Sequence, residues 1–433
     1  MRLTLAEHTI DELTIGTTTE LVGSRLRVDL EDLHSYLLED RRLESVDMDL
    51  VNPGDKCRAG YVFDIVEPRA KEPGSGADFP GILGPFIPAG QGTTHVLKGA
   101  AVTVVDGGQP GGEHGFVTRR GGMCKILEMS GPASDATPYG KLRHLVLAPH
   151  PFANVERHAV LNALRLASVK ASVYLAKVAV GKKPPATQVF DLSDAPQRRS
   201  GTPPRVVYIG QVHGHQHGTE VDEAILYGGN TQGMMAAPMH PNEWLDGAVV
   251  VSYSWGMRGL ETYFHQNHPI INELFRLHQA GEIIFAGTIA TSSAILEEEL
   301  ARNSMMAAHL AKWSMGADGA ILTKYVGGAP HADMFETARR CEELGIKTVI
   351  QASSTAPDGR AESALLMTAP GVDAVVTLSE GEDMEWHVPL LDQVIAGNLE
   401  VEAELAGPMT LTAAALCGAC NNQGASRLQP ILY

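Results

Sequence analysis

Cysteine is scarce in this chain, and none occurs between residues 125 and 340. The five cysteines among 433 residues are an odd number and too few for a disulfide framework, which favours a reducing compartment such as the cytoplasm. Cys417 and Cys420 form the one C-x-x-C pair, so a four-cysteine zinc site is excluded. The pair is either a redox dithiol or two structural thiols in a packed apolar segment.

Positive charge is also in deficit. The chain has 34 Lys and Arg against 51 Asp and Glu, a net charge of -17, and phosphate binding needs clustered cations, so a nucleic-acid partner is not expected. No apolar run reaches the roughly 20 residues that a membrane span requires. The N-terminus turns polar too soon for a signal peptide. The dinucleotide-binding glycine fingerprint is absent as well, so these absences favour a cytoplasmic protein with no membrane partner.

The first 135 residues are expected to form a β-rich domain. Apolar positions nearly alternate in residues 26–30 and 61–66, and residues 95–105 form a longer apolar strand. A helix is predicted over residues 31–40. Residues 67–95 are rich in glycine and proline, and such long loops are often functional.

The rest of the chain has a different pattern. Residues 136–245 are interpreted as an α/β region with a long helix near 155–180 and a strand at 205–210. Residues 246–433 are interpreted as a parallel α/β domain, because short apolar strands alternate with helical segments. The predicted strands are 248–253, 283–287, 319–323, 347–351 and 374–377, and the predicted helices are 295–315, 331–344 and 360–367. The fold class is therefore α/β, with a β-rich N-terminal region followed by a parallel, Rossmann-like sheet.

Three histidines alternate directly after the predicted strand at 205–210: His213, His215 and His217. Ligands of α/β sheets lie at the carboxyl ends of the strands, and three histidines with an open position are typical of catalytic zinc. The alternatives are a substrate-binding or catalytic histidine without metal, His217 in particular, and a structural loop.

Two other polar groups are candidates for substrate binding. Gly327 and Gly328 follow a predicted strand and open a helix, whose start attracts carboxylate or phosphate, with Lys324 as the counter-charge. The second group is Thr93, His95 and Lys98, beside the glycine-rich loop. A structural role is the alternative for both groups, because many such turns bind nothing and a buried lysine can simply be ion-paired.

Several separated motifs resemble those of one enzyme family. They are Glu67-Pro68-Arg69-Ala70-Lys71, residues 74–81, residues 94–102, residues 129–132, His240-Pro241-Asn242-Glu243, Gly316 to Lys324, residues 327–330 and residues 341–348. In this order they resemble the proprotein subunit of the glycine, sarcosine, betaine and D-proline reductases. The resemblance spans nearly the whole chain and implies a shared fold.

The resemblance also implies a chemistry that this chain lacks a residue to perform. In the family, a cysteine at an internal junction cleaves the backbone and leaves a pyruvoyl group that captures the substrate amine. The matching segment here, residues 227–235 before His240, holds methionine, glutamine, glycine and Thr231 but no cysteine. We therefore expect no pyruvoyl group. The alternative is that Thr231 replaces the cysteine through an N-to-O shift.

The retained His240, Asn242 and Glu243 suggest a pocket still in use, with His240 or Glu243 as acid or base and Asn242 as an orienting amide. A helix cap is the alternative.

The function expected from these features is that of a family subunit acting on a C–N bond of a small carboxylate-bearing amine or cyclic amide, reductively or not. The alternatives are a metal-dependent hydrolase or lyase and a non-catalytic subunit that binds substrate or acts as a scaffold. The resemblance implies a paralogous partner that carries a cysteine or selenocysteine nucleophile.

The lack of cysteine in residues 227–235 generates a first prediction. The purified protein should run as one band on a denaturing gel, and its intact mass should equal that of the whole chain, because this segment has no thiol for backbone cleavage. Two fragments, one with an α-ketoacyl N-terminus, would restore the pyruvoyl mechanism.

Overall fold

The computed structural model describes residues 1–108, 125–193, 202–214, 223–253, 260–294, 296–325, 328–353, 371–372, 374–378, 384–421 and 423. The strands are β1 (Arg2–Thr9), β2 (Glu12–Ile15), β3 (Glu20–Val22), β4 (Arg25–Val28), β5 (Leu43–Val51), β6 (Cys57–Gly60), β7 (Val62–Val66), β8 (Arg69–Lys71), β9 (Gly92–Lys98), β10 (Ala100–Val105), β11 (Ile126–Glu128), β12 (Arg143–Pro151), β13 (Ala186–Asp191), β14 (Arg205–Gly214), β15 (Ala237–Met239), β16 (Ile284–Ser293), β17 (Gly319–Thr323), β18 (Lys347–Ser353), β19 (Val375–Leu378), β20 (Glu385–Val388), β21 (Gln393–Ile395) and β22 (Met409–Thr412). The helices are α1 (Leu30–Leu37), α2 (Gly131–Asp135), α3 (Arg157–Lys177), α4 (Pro241–Leu245), α5 (Thr262–Gln266), α6 (Pro269–Gln279), α7 (Glu297–His309), α8 (Ala329–Glu343) and α9 (Leu399–Ala406).

The N-terminal part is built from small mixed sheets, as its strand-rich sequence predicts. Their strand orders are β13-β1-β9-β8, β5-β12-β10-β7, β11-β6-β21 and β2-β4-β3. The predicted helix at 31–40 is confirmed as α1, which Asp29 caps through its side chain. The predicted single strand over 95–105 is wrong, because the chain breaks at Gly99 into β9 and β10, which belong to different sheets. Gly99 has φ +88° and would place a Cβ 2.8 Å from the Ile10 carbonyl oxygen, so the turn needs glycine.

Helix α3 is the central helix of the largest apolar core and packs against β7, β8, β10 and β12. The helix has 21 residues and contains a stretch of 18 that is long and apolar enough to cross a membrane by length and composition alone, but 72% of that stretch is buried inside the protein. The core helix of a globular protein meets the same criterion, and burial accounts for the apolar sequence.

The second half is organised around a six-stranded sheet with the order β15-β16-β14-β17-β18-β19. Every pairing among its strands is parallel except that of β15 with β16. On one face Tyr208 of β14 packs in a core with Phe275 of α6, and on the other Ile209 packs with Ala308 of α7 and Phe335 of α8. The α/β class predicted from the sequence is confirmed.

The strand order places a topological switch beside β14. Counted along the chain, the parallel strands run 2-1-3-4-5, so successive connections leave β14 toward opposite edges of the sheet. Ligands of open α/β sheets bind at the carboxyl ends of the strands beside such a switch point, so the ends of β14 and β17 are a candidate ligand position.

One strand predicted in the second half does not belong to the parallel sheet. Residues 248–253 are not a strand of this sheet; they run beside residues 225–229, with Val250 donating its N–H to the Ile225 carbonyl at 3.0 Å. The apolar run reflects burial of the segment rather than sheet pairing. The helix predicted at 360–367 lies outside the described residues.

Strand pairing crosses the predicted domain limits. Strands β12 and β13, from the predicted second region, complete sheets of the first. Strand β21, from the predicted third region, pairs with β6. The division at residues 135 and 245 remains a prediction, but the sheets do not follow it.

A close backbone contact joins the glycine-rich loop to the segment matching the family's cleavage junction. A Cβ on Gly81 would lie 2.0 Å from the Tyr227 carbonyl oxygen, and one on Gly228 would lie 2.1 Å from the Gly81 carbonyl oxygen. Tyr227 has φ +52°, a left-handed conformation that costs a non-glycine residue roughly 1–2 kcal/mol.

This contact yields a stability prediction. Gly81→Ala should lower the melting temperature clearly more than Gly74→Ala, because Gly81 meets backbone atoms whereas a Cβ on Gly74 meets nothing within 4 Å. The comparison is matched, since the two φ angles are +80° and +83° and backbone strain is thus equal. Thermal unfolding followed by circular dichroism measures the difference; equal melting temperatures would contradict the contact.

Candidate functional site

The side chain of Gln211 connects three elements at the carboxyl edge of the parallel sheet. Its Nε2 donates to the Pro330 carbonyl at 2.8 Å and to Asp333 Oδ2 at 2.9 Å, and its Oε1 accepts the Tyr325 N–H at 2.8 Å. β14, the residues after β17 and the first turn of α8 are therefore fixed together by one amide.

The start of α8 lies directly against the end of β14. A Cβ on Gly214 would come 2.7 Å from Pro330 Cγ, so glycine permits this approach. Helix α8 has 15 residues and begins after Gly328, with proline in its first turn. The partial positive charge of a helix start therefore lies at the switch point.

Asp333 links Gln211 to α7. Its carboxylate accepts hydrogen bonds from Gln211 and, at 3.1 Å, from Ser304 Oγ on α7. Burial raises the pKa of Asp333 to about 6, against the opposing hydrogen bonds from Ser304 and Gln211. The carboxylate is thus poorly stabilised in its ionised form.

His213 is buried beside β17 and a second carboxylate. Its Nε2 lies 3.5 Å from Glu223 Oε2, and its ring meets the Tyr325 ring edge-on with centroids 5.0 Å apart. Glu223 also accepts the Tyr253 N–H, and the hydroxyls of Ser252 and Tyr325 are hydrogen-bonded to each other. A connected polar cluster thus lies at the switch point.

Arg165 of α3 holds the two chain segments that enter this cluster. Its guanidinium donates to the carbonyls of Ala224 and Val251 and lies 4.2 Å from the centre of the Tyr253 ring. Burial lowers the pKa of Arg165, although the neighbouring Tyr253 and carboxylates favour the charge. The N-terminal half of the protein therefore positions the ligand edge of the second half through a buried cation.

Several buried polar atoms at this edge have no hydrogen-bond partner within the described ranges. Ser292 and Ser293 end β16 opposite His213 and Gly214, His331 lies in the first turn of α8, Gln351 pairs with the last residue of β17, and Gln423 reaches the end of β14 by donating to the Gln211 carbonyl at 2.6 Å. The unpartnered atoms are Ser292 Oγ, Ser293 Oγ, both ring nitrogens of His331, Gln351 Oε1 and Gln423 Oε1. Buried polar groups are normally satisfied, so this concentration indicates a ligand site.

The sequence prediction for the start of α8 agrees with this placement. Lys324 immediately follows β17 and is only 2% exposed. Burial, and second the charge of Lys324, lowers the pKa of His331 to about 3, so the imidazole is neutral beside a cation. Gly328 caps the helix with φ +78°, while Gly327 lies outside the described residues.

The predicted metal ligands are only partly visible. His213 is paired with Glu223, and His215 and His217 fall outside the described residues. Within the ranges that the structure describes, no three His, Cys, Asp or Glu side chains could share a metal ion. The zinc hypothesis and the catalytic role of His217 remain predictions.

His240 and Glu243 form the helix cap that was the alternative to catalysis. His240 Nδ1 accepts the Asn242 N–H at 3.2 Å, and Glu243 Oε1 accepts the His240 N–H at 2.6 Å. Asn242 donates to the Gly90 and Phe190 carbonyls, both at 3.1 Å. Burial lowers the pKa of His240 to about 4.

The position of the cap separates it from the carboxyl edge. Met239, which precedes His240, pairs with Thr288 of β16, whereas His213 pairs with Ser292. Four residues of strand correspond to roughly 13 Å, so the structure does not bring His240 to His213.

The group beside the glycine-rich loop has internal partners. Lys98 Nζ bonds Glu67 Oε1 at 2.9 Å and Asn267 Oδ1 at 2.8 Å. His95 is hydrogen-bonded to Glu72 and, at 3.1 Å, to His8. Thr93 N–H bonds Ser75 Oγ at 3.0 Å. These contacts join the N-terminal sheets to each other and to the segment after α5.

Cys417 and Cys420 are free thiols, 2% and 1% exposed. Burial, followed by the nearby Glu261, raises the pKa of Cys417 well above that of an ordinary thiol. A redox role for the pair stays a prediction; the environment of Cys417 disfavours a reactive thiolate.

Sequence reasoning missed most of the carboxyl-edge residues. His331 had a signal, since it follows the predicted helix start. Ser292 and Ser293 lay beyond the predicted end of their strand, which was placed at residue 287. Gln211, Asp333 and Gln423 gave no local signal.

The fold and the polar edge define an α/β protein with a candidate ligand site at the switch point of a parallel sheet. The family model for glycine/sarcosine/betaine reductase component B subunits matches residues 1–417. The chain therefore belongs to this family and is a subunit of the reductase-complex type.

Curated relatives match over nearly their whole length. The chain is 30% identical to the glycine reductase complex component B subunits alpha and beta of Acetoanaerobium sticklandii, covering 100% of both chains. It is 28% identical to the sarcosine reductase complex component B subunit alpha of Peptoclostridium acidaminophilum, covering 94% of this chain and 92% of the relative. A betaine reductase component B subunit alpha of the same organism is 28% identical, with 93% and 89% covered. No solved structure matches the chain.

The raised pKa of Asp333 predicts a pH dependence of stability. An acid whose folded pKa, about 6, exceeds its unfolded value stabilises the fold at low pH and loses that contribution as the pH rises through 6. Asp333→Asn should therefore flatten the fall in unfolding free energy between pH 4 and 7, measured by urea titration. An unchanged slope would show that Asp333 is ordinarily ionised. Asp47→Asn, whose side chain is 71% exposed, is the control.

Proposed function

We propose that this subunit binds a small carboxylate-bearing substrate at the carboxyl edge of the parallel sheet and acts on its C–N bond without a pyruvoyl group. The observation that carries the proposal is the concentration of unpartnered buried polar atoms beside Lys324 and the start of α8. A cation and a helix start together favour a carboxylate.

The absence of cysteine from residues 125–340 supports the second part of the proposal. It holds wherever in this stretch the junction is placed. Substrate activation then depends on hydrogen bonds and charge. His331 is neutral, so one ring nitrogen donates a hydrogen bond while the other accepts one. The imidazole can therefore polarise the C–N bond or relay a proton to the leaving group.

The two possible outcomes, reduction and hydrolysis, differ in whether electrons are consumed. Reductive cleavage of a C–N bond to C–H and N–H takes up two electrons and two protons, which two thiols, or a thiol and a selenol, on the partner subunit would supply as they are oxidised to a disulfide or selenosulfide. Hydrolysis takes up only water. The relatives' names place them in multi-component reductase complexes, and we propose a hetero-oligomer with a nucleophile-bearing partner.

The binding site is tested by removing its cation. Lys324→Met should weaken the binding of small carboxylates by tenfold or more, because a hydrogen bond to a charged group contributes about 1.5–3 kcal/mol. Glycine, proline and 5-oxoproline are suitable probes in ligand-observed NMR with the full chain. Lys347→Met is the matched control, since Lys347 begins β18 at the opposite edge and is 81% exposed.

The outcomes separate binding from catalysis. Equal binding by wild type and Lys324→Met would refute the site, provided that both melt at the same temperature. Turnover by the chain alone would refute the non-catalytic scaffold, whereas turnover only with a thiol-bearing partner would support the proposed hetero-oligomer.

A further inference from the structure

The unpartnered atoms named above for the carboxyl edge belong to uncharged groups: two hydroxyls, two side-chain amides and one imidazole. Nε of the neighbouring Arg165 guanidinium is also unpartnered and adds positive charge to this region. Two buried carboxylates among the described residues here have partners: Asp333 accepts from Gln211 and Ser304, and Glu223 accepts from Tyr253 and pairs with His213. The open positions therefore suit uncharged donors and acceptors.

The orientation of the Gln423 amide is fixed by its other partner. Nε2 donates to the Gln211 main-chain carbonyl at 2.6 Å, and a carbonyl accepts only from a donor, so the amide cannot be flipped. Its Oε1 is left as an acceptor, in a residue with 0% exposure. This oxygen requires an N–H or O–H group.

Charge then decides which kind of N–H fits. An ammonium group loses its hydration on burial and needs a carboxylate in compensation. Among the residues that the structure describes, the unpartnered atoms at this edge include no carboxylate oxygen, and the cation Lys324 lies at the same edge, which disfavours a second positive charge. An amide N–H needs only a neutral acceptor, and its carbonyl would accept from His331 or a serine hydroxyl.

Resting on the proposed function, we propose that the substrate nitrogen is uncharged: the site takes a carboxylate-bearing amide, either a small lactam or an N-acyl amino acid, with its N–H on Gln423 Oε1. The carboxylate faces Lys324 and the start of α8. Gln423 is thereby a substrate-binding residue, contributed by the segment after the C-x-x-C pair.

Two matched pairs of compounds test the nitrogen. 5-Oxoproline and proline share a ring and a carboxylate but carry an amide and an ammonium nitrogen, and N-acetylglycine and N-ethylglycine form the acyclic pair. Calorimetry or ligand-observed NMR at pH 7 with the full chain should show at least tenfold tighter binding of the amide in one pair. Each 5-oxoproline enantiomer is measured.

Variants of the site test the assigned residue. Gln423→Met keeps the side-chain length and should weaken the amide by at least tenfold, while the exposed Gln393→Met should not. If Gln423→Met does not fold, Ser293→Ala removes one unpartnered hydroxyl and should weaken the amide at least threefold.

The results separate this inference from the proposed function. Proline or N-ethylglycine binding as tightly as its amide partner, in a manner lost in Lys324→Met, overturns the uncharged nitrogen and keeps the proposed function. Binding of no member of either pair, and of no glycine, overturns both. Unweakened amide binding by folded Gln423→Met overturns the role of Gln423.

Discussion

The hydrogen bonds of Gln211 are the constraint on which the ligand edge depends. One buried amide fixes the end of β14 to Tyr325, to the first turn of α8 and, through Asp333, to α7. A side chain that uses both its donor and its acceptor groups in this way has one permitted orientation. This fixed framework keeps the neighbouring unpartnered polar atoms apart from one another, as a preformed site requires.

Buried charge connects the two halves of the protein. Arg165 on α3 binds the carbonyls of Ala224 and Val251. Asp64 of β7 accepts hydrogen bonds from the backbone N–H and the hydroxyl of Thr262, both at 2.9 Å. Removing the side chain of Arg165 or of Asp64 would leave buried polar groups without their partners, which is strongly destabilising. The N-terminal sheets are thus part of the framework of the site.

The segment that resembles a cleavage junction is held by defined local contacts. The capping box at His240 and the close contact of Gly81 with Tyr227 and Gly228 fix its geometry. The chain offers no cysteine there, and a separate group of unpartnered buried polar atoms lies at the carboxyl edge.

The sequence alone determined the α/β class, most strands of the parallel sheet, the start of α8 with Lys324, and the lack of cysteine in residues 125–340, because these follow from local periodicity, turn residues and composition. It could not separate β9 from β10, give the strand order, or decide whether His240 and Glu243 form a helix cap. Only the tertiary structure brought Ser292, His331 and Gln423 to one edge. Which buried polar atoms remain without partners depends on contacts between residues as far apart as Gln211 and Gln423, and no local pattern encodes them.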